Sequence, residues 1–414
     1  MIGGIILAVS FLYLDAYSQL KPSGLLQYVF TESADSARTI LSVIGGAMIG
    51  IAGTVFSITL VVLTLASSQF GPRLLRNFMY NRLNQIVLGM YVSTYIYCLI
   101  VLNAVKGNDN FSFVPSISIL MAIILAIVCI IFLIFFIHQV SMSIQPSYVI
   151  NSIRSELDKN IKETFSNQNS KVQVNIDEII PEIEQNLKVR ISVTNIQDGY
   201  LQYIDFSPLR SIAKENNLLI KIKIKPGTYL VKGALLAEIS SAGPSEEKMI
   251  SKIQSSFVTA HIKTTFQDAE FAIDQIVEIA CKALSPGIND PFTAITCIDN
   301  LSAIMCDLAQ RQFPEKYYLD DEDKLRIITH PLHFPGLIDA AFNQIRQYGA
   351  SSPSVLIRLM EVLNTIHQFC RTDEQRQSVK FHLLKVLESG KCTFSIEEDI
   401  TDLKERYYGL SSLN

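Results

Sequence analysis

The sequence predicts an α-helical transmembrane domain of four helices followed by an α+β cytoplasmic domain, the latter with a small β-barrel-like part and a helical C-terminal part. Three observations lead there. Ile40–Pro72, Leu83–Val105 and Asn110–Ile153 contain no Asp, Glu, Lys or Arg. The charge is unevenly divided: residues 1–153 hold six basic and four acidic residues, leaving 29 and 35 of the chain's 35 and 39 to the remainder, so the parts carry +2 and −6. Beyond the apolar runs the periodicity changes. LLIKIKIK at 218–225 alternates at every second residue, whereas DAEFAIDQIVEIACKAL at 268–284 repeats at helical spacing.

A helix needs about 20 apolar residues to cross the hydrocarbon core, so spanning helices are expected near 40–66, 84–105 and 114–140. The first expected helix, near 2–19, starts with the apolar run Ile2–Leu14, which is short for a core of about 30 Å. No basic region precedes it and no small-residue cleavage site follows. The run is therefore read as a spanning helix that begins before residue 1, and the transmembrane domain as residues 1–142. Arg73, Arg76 and Arg82 lie in a loop without acids, which places that loop in the cytoplasm. Four helices then put both termini, and the body from about Arg154, in the cytoplasm as well. The segment QFGPRLLRNFMYNR at 69–82 reads as a basic amphipathic stretch whose three arginines meet lipid phosphates.

Residues 143–170 are expected to form a connector helix starting near Pro146. A β-rich domain follows at 171–243. Leu187–Val193 and Tyr200–Asp205 alternate around an Asp198-Gly199 turn, and Pro226-Gly227 ends the strand 218–225. GYLQYID and KPGTYLVKGALLAEI resemble the barrel-sandwich domains of the biotinyl/lipoyl type, which implies a small barrel. The hairpin lysine that carries the prosthetic group in those domains has no match, so no cofactor is implied. Residues 244–414 read as a helical domain, with helices at 268–284, from Asp290-Pro291 to about Arg311, from about His333 to Tyr348, and near 353–370, 373–389 and 396–408.

Two places bear polar groups in a pattern that chemistry could use. On the second helix Gly46, Gly50, Gly53, Ser57, Thr64 and Ser68 fall within an arc of about 60°, with Leu60 and Val61 as its large members. Such a stripe either packs closely against another helix or lines a symmetric pore, with hydroxyl oxygens for water or ions and Leu60/Val61 as an apolar constriction. In SPGINDPFTAITCID, Ser285, Asn289, Asp290 and Thr293 form a polar cluster at a helix start. It is either a helix–turn–helix corner, with Asp290 as cap and Pro291 at the first position, or an anion site in which Asp290 would repel the anion.

The overall 49% apolar and 18% charged content, set against about 25% charged in soluble domains, excludes a disordered or disulfide-stapled chain. Nothing in the charge pattern points to nucleic acid. No GxxxxGK[ST], GxGxxG, HExxH or GxSxG string is present, so neither an enzyme nor a metal is expected. The acids at 320–323 read as a solvated loop, and the HPLH string holding His330 and His333 as ordinary histidines. The seven cysteines form no CxxC pair and read as reduced, mostly buried side chains.

GTVFSITLVVLTLASSQFGPRLLRNF, NQIVLGMYVSTYIYCLIVL, ALSPGINDPFTAITCIDNL and IDAAFNQIRQYG together resemble an uncharacterised bacterial family of integral membrane proteins described only as a domain of unknown function. The resemblance runs from about Gly3 to Gly390. It implies an inner-membrane protein with a soluble C-terminal region, and no activity. The reading of the residues themselves favours a homo-oligomeric, channel-like permeation protein that contacts lipid and its own copies and passes an ion or small molecule. The alternative is a membrane-anchored sensor or scaffold whose cytoplasmic domain binds a partner or small ligand.

Overall fold

The computed structural model describes residues 2–17, 33–71, 82–108, 111–165, 180–181, 187, 189–243 and 246–409. They divide into two units, Met1–Val149 and Ile150–Asn414.

The first unit contains α1 (Ile2–Tyr17), α2 (Ala34–Phe70), α3 (Arg82–Ala104), a hairpin of β1 (Lys106–Asn108) and β2 (Phe111–Phe113), and α4 (Ser116–Ser143). By length and composition α2, α4 and residues 83–104 of α3 can cross a membrane, and α1 is a shorter apolar helix. Helix α2 outruns its apolar core at both ends. Asp35 and Arg38 pair at 3.3 Å across its first turn, and Gly71, at φ 99°, ends it. At about 1.5 Å per residue it reaches roughly 55 Å, more than a bilayer core.

Inside this unit α2 presents Leu41, Met48, Ala52 and Val55 to Tyr91, Tyr97 and Cys98 of α3 and Cys129 and Phe136 of α4. Polar groups at such depth need partners within the protein, and two tyrosines have them. The Tyr91 hydroxyl donates to the Cys129 carbonyl at 2.7 Å, and that of Tyr97 to the Ser118 carbonyl at 2.9 Å. Helix α1 lies close against α3: a Cβ on Gly4 would sit 2.6 Å from the Ser93 carbonyl oxygen. At the other end of α1 the Asp15 carboxylate accepts the Ile117 and Ser118 amides, both at 2.9 Å, and the Ser118 hydroxyl at 2.5 Å. It thereby satisfies the first turn of α4, whose amides have no partner within the helix.

The second unit continues α5 (Pro146–Phe165), which buries Ile150, Ile153, Leu157 and Ile161 at helical spacing. Next come β3 (Val189–Thr194), β4 (Gly199–Ile204), α6 (Phe206–Glu215), β5 (Leu219–Ile222), β6 (Tyr229–Leu230), β7 (Leu235–Ser241), α7 (Glu247–Ser255) and β8 (Phe257–Ala260). After these follow α8 (Ala269–Ala283), α9 (Pro291–Gln310), β9 (Tyr317–Leu319), β10 (Leu325–Ile328), α10 (Phe334–Tyr348), α11 (Pro353–Phe369), α12 (Asp373–Thr393) and α13 (Glu397–Tyr408).

Among the described residues the expected barrel is not closed. The strands make two open sheets, one ordered β3-β7-β5-β10-β9 and one ordered β6-β4-β8. The reason is that the set of strands is larger than 171–243. Strands β8, β9 and β10 come from the region whose periodicity reads as helical. Strand β10 pairs with β5 in parallel, while β8 draws β4 into the second sheet. Their shared core holds Val193, Leu201, Ile220, Ile239 and Ile327. Of the acids at 320–323, Asp321, Glu322 and Asp323 are exposed as expected, and Asp320 differs. Asp320 is buried against Arg326 at 2.6 Å and accepts the Glu322 and Lys324 amides. These bonds hold its carboxyl below the usual range although burial opposes them.

Candidate functional site

On α2 the residues Gly46, Gly50, Gly53, Ser57, Leu60, Val61, Thr64 and Ser68 are all exposed. They lie on the side away from Leu41, Met48 and Val55, which are buried. A Cβ on Gly46, Gly50 or Gly53 would meet nothing within 4 Å. Among the described residues, nothing packs against the stripe's glycines. Its hydroxyls donate to their own helix: Ser57 to the Gly53 carbonyl at 2.9 Å, Thr64 to that of Leu60 at 3.0 Å, Ser68 to that of Leu65 at 2.8 Å. With the protons so held, each oxygen keeps acceptor capacity for whatever lies outside.

On its other flank α2 meets α3 and α4 around a cavity of about 250 Å³. Thr59, Asn84, Gln85, Gln139 and Ser143 give it polar points in an apolar lining. Asn84 Oδ1 is buried there with no hydrogen-bond partner among the described residues. Arg73 and Arg76, expected at lipid phosphates, lie outside the described residues, and Arg82 contributes the first backbone position of α3.

In the second unit the structure brings Asp290 and Thr293 together and turns Ser285 away. Asp290 accepts the Thr293 amide at 3.1 Å and its hydroxyl at 2.5 Å, and the hydroxyl bond holds the carboxyl below its usual range. The Ser285 hydroxyl donates to the Lys282 carbonyl at 2.6 Å. Asn289, at φ 49°, makes the left-handed step between the helices that asparagine tolerates better than most residues. The side chains of Ser285, Asp290 and Thr293 are thus used locally. The corner exposes Phe292 and Ile288, at 81% and 45%.

The sequence reading missed a groove made by two adjoining cavities of about 420 and 410 Å³ in the second unit, which share Lys225 and the stretch 329–332. Its aromatic half is set by β4, α6 and β9. The Phe206 and Tyr318 rings stack at 5.1 Å, Tyr203 and Phe266 meet edge to face at 5.6 Å, and the Arg210 guanidinium lies 4.6 Å from the Tyr318 centroid. Its other half brings together Lys225, Lys316, His330 and His333 with the carboxylate of Glu270. Lys225 is placed by a tight turn. Gly227 has φ 85°, and any side chain there would collide with the Asp268 carboxylate. The Thr329 amide donates to the Lys316 carbonyl at 2.8 Å, tying Lys316 to the strand that leads into His330. Only Pro226-Gly227 and HPLH stood out in the sequence as local signals of this place.

Comparison with known proteins gives a consistent result. The family model described as "Predicted membrane protein (DUF2254)" matches residues 1–365. The uncharacterized proteins Rv1290c of Mycobacterium tuberculosis and Mb1321c of Mycobacterium bovis are each 29% identical to this chain over 376 residues, covering 90% of it and 71% of the relative. No solved structure matches.

Proposed function

The chain belongs to this family of predicted membrane proteins, and from that premise we propose that it works as a homo-oligomeric, channel-like permeation protein of the bacterial cytoplasmic membrane. In this reading α2 stands at the symmetry axis, the second unit lies in the cytoplasm and regulates passage, and no reaction is catalysed. The exposure of the α2 stripe carries the proposal. Glycine inside a helix costs about 0.5–1 kcal/mol relative to alanine, and at Gly46, Gly50 and Gly53 nothing within the protomer offsets that cost. A neighbouring copy of α2 offsets it, because small residues let helix backbones approach. Ser57, Thr64 and Ser68 then offer acceptor oxygens to water or a cation, and Leu60 and Val61 narrow the path. The surplus of acid in residues 154–414 favours cations at the cytoplasmic mouth.

The test is cation flux from proteoliposomes that hold the purified full chain, compared with its Thr64→Trp variant. Flux that the variant blocks while its helix content and thermal midpoint stay unchanged supports the proposal. Absence of flux from both overturns it. That outcome favours the second reading, a membrane-anchored sensor, for which the groove of the second unit speaks.

A further inference from the structure

The groove of the second unit combines features that one class of small molecule matches. Each of its two cavities falls within the 300–1,000 Å³ usual for small-molecule sites. One half offers ring faces and edges from Tyr203, Phe206, Phe266 and Tyr318, with Phe266 57% exposed beside its edge contact with Tyr203. Planar rings stack on such walls, and an arginine already lying over Tyr318 extends the stack. The other half is basic, although residues 154–414 carry a net charge of −6. Lys225 and Lys316, with His330 and His333, line it against Glu270, which pairs with Lys225 at 2.5 Å, and Arg210 adds a further cation on the aromatic half. A local excess of cations in an acidic body is what an anionic ligand needs.

We propose that this groove binds a nucleotide, with the base on the aromatic half and the phosphates among Lys225, Lys316 and the two histidines. The bridge between halves is the shared wall at Lys225 and 329–332, so ring and phosphates of one molecule reach both. Lysine ammonium groups and imidazoles donate to phosphate oxygens as charge-assisted hydrogen bonds. The proposal stands apart from permeation, because binding to the second unit requires nothing of α2.

The chain has no tryptophan, which makes the test direct. In detergent-solubilised full-length protein, the indole introduced by Phe266→Trp reports from the groove alone. ATP, GTP, CTP and UTP are titrated in turn, and adenosine and inorganic tripolyphosphate serve as half-ligands. The unaltered chain is followed in parallel by equilibrium dialysis with the same nucleotides. At least one nucleotide is expected to change the emission saturably and to be retained in dialysis. Adenosine and tripolyphosphate are expected to bind at least about tenfold more weakly, since each forgoes one half of the contacts. Lys316→Glu, at an exposed position, is expected to weaken binding by about tenfold without moving the thermal midpoint. No retention of any of the four nucleotides by the unaltered chain would overturn the proposal. Equal binding of tripolyphosphate and nucleotide, or no effect of Lys316→Glu, would overturn it too.

Discussion

Among the four described helices that pass the same test of length and composition for crossing a membrane, Ala34–Phe70 and Pro291–Gln310 stand in different units. In the first, 22% of the most apolar window is buried within the chain, against 50% in the second. Helix α9 buries Ile298, Leu301, Met305 and Leu308 among its own unit's helices. It spends its polar residues on neighbours: Asp299 accepts the Arg358 guanidinium at 2.6 Å, and Asp307 that of Arg311 at 2.9 Å. Helix α2 has no charged residue between Thr39 and Phe70, and its hydroxyls turn back onto their own backbone. Average hydropathy does not separate a core helix from a spanning one. The location of the polar side chains and of their partners does.

The sharpest way to break this contrast is to remove packing from each helix in turn. Leu301→Ala in α9, at a fully buried position, is expected to cost about 2–5 kcal/mol, read as a drop in the denaturation midpoint of the second unit. Burial also gives the second unit an acid-labile point. His382 is 2% exposed, and burial lowers its pKa to about 4, helped by Lys385 and Arg346 and opposed by Asp339, which it meets at 3.0 Å. The imidazole is thus neutral when folded and takes up a proton near pH 6.5 when unfolded. Stability is full above that pH and falls as pH drops towards about 4, by about 3 kcal/mol in all. Urea titrations of the full chain across this window should show the slope, and His382→Gln should flatten it.

A smaller effect distinguishes the two faces of the membrane unit. Gly4→Ala puts a Cβ 2.6 Å from the Ser93 carbonyl oxygen and is expected to cost about 1–3 kcal/mol. Gly50→Ala meets nothing within 4 Å and is expected to leave protomer stability within about 0.5 kcal/mol, while weakening self-association in size-exclusion profiles. An equal loss of stability from both would place the α2 stripe in the protomer's own packing.

The helices were legible in the sequence because their signals are local. Charge-free runs mark α2, α3 and α4, and Asp290-Pro291 marks the start of α9, which the structure caps as expected. Strands β8, β9 and β10 escaped because two of them have four residues and one has three, too few for a period. They are fixed by pairing across distances of up to 107 residues, as with Ile327 against Ile220. The groove was hidden for the same reason. Its walls come from segments near 203–210, 222–226, 266–267 and 314–337, and no periodicity within one segment reports on another. Asp320 shows the limit in miniature: a run of four acids reads as solvated until the fold sets Arg326 beside one of them.

The contact between Asp15 and the start of α4 also has a history in synthesis. The carboxylate and the Ile117 amide it accepts are 102 positions apart. At about 5–20 residues per second a ribosome needs roughly 5–20 s to span that interval. Until α4 emerges, the partners that the folded chain gives this carboxylate do not yet exist. When α4 arrives, the waiting carboxylate receives its first turn, so one acid acts as a late clasp.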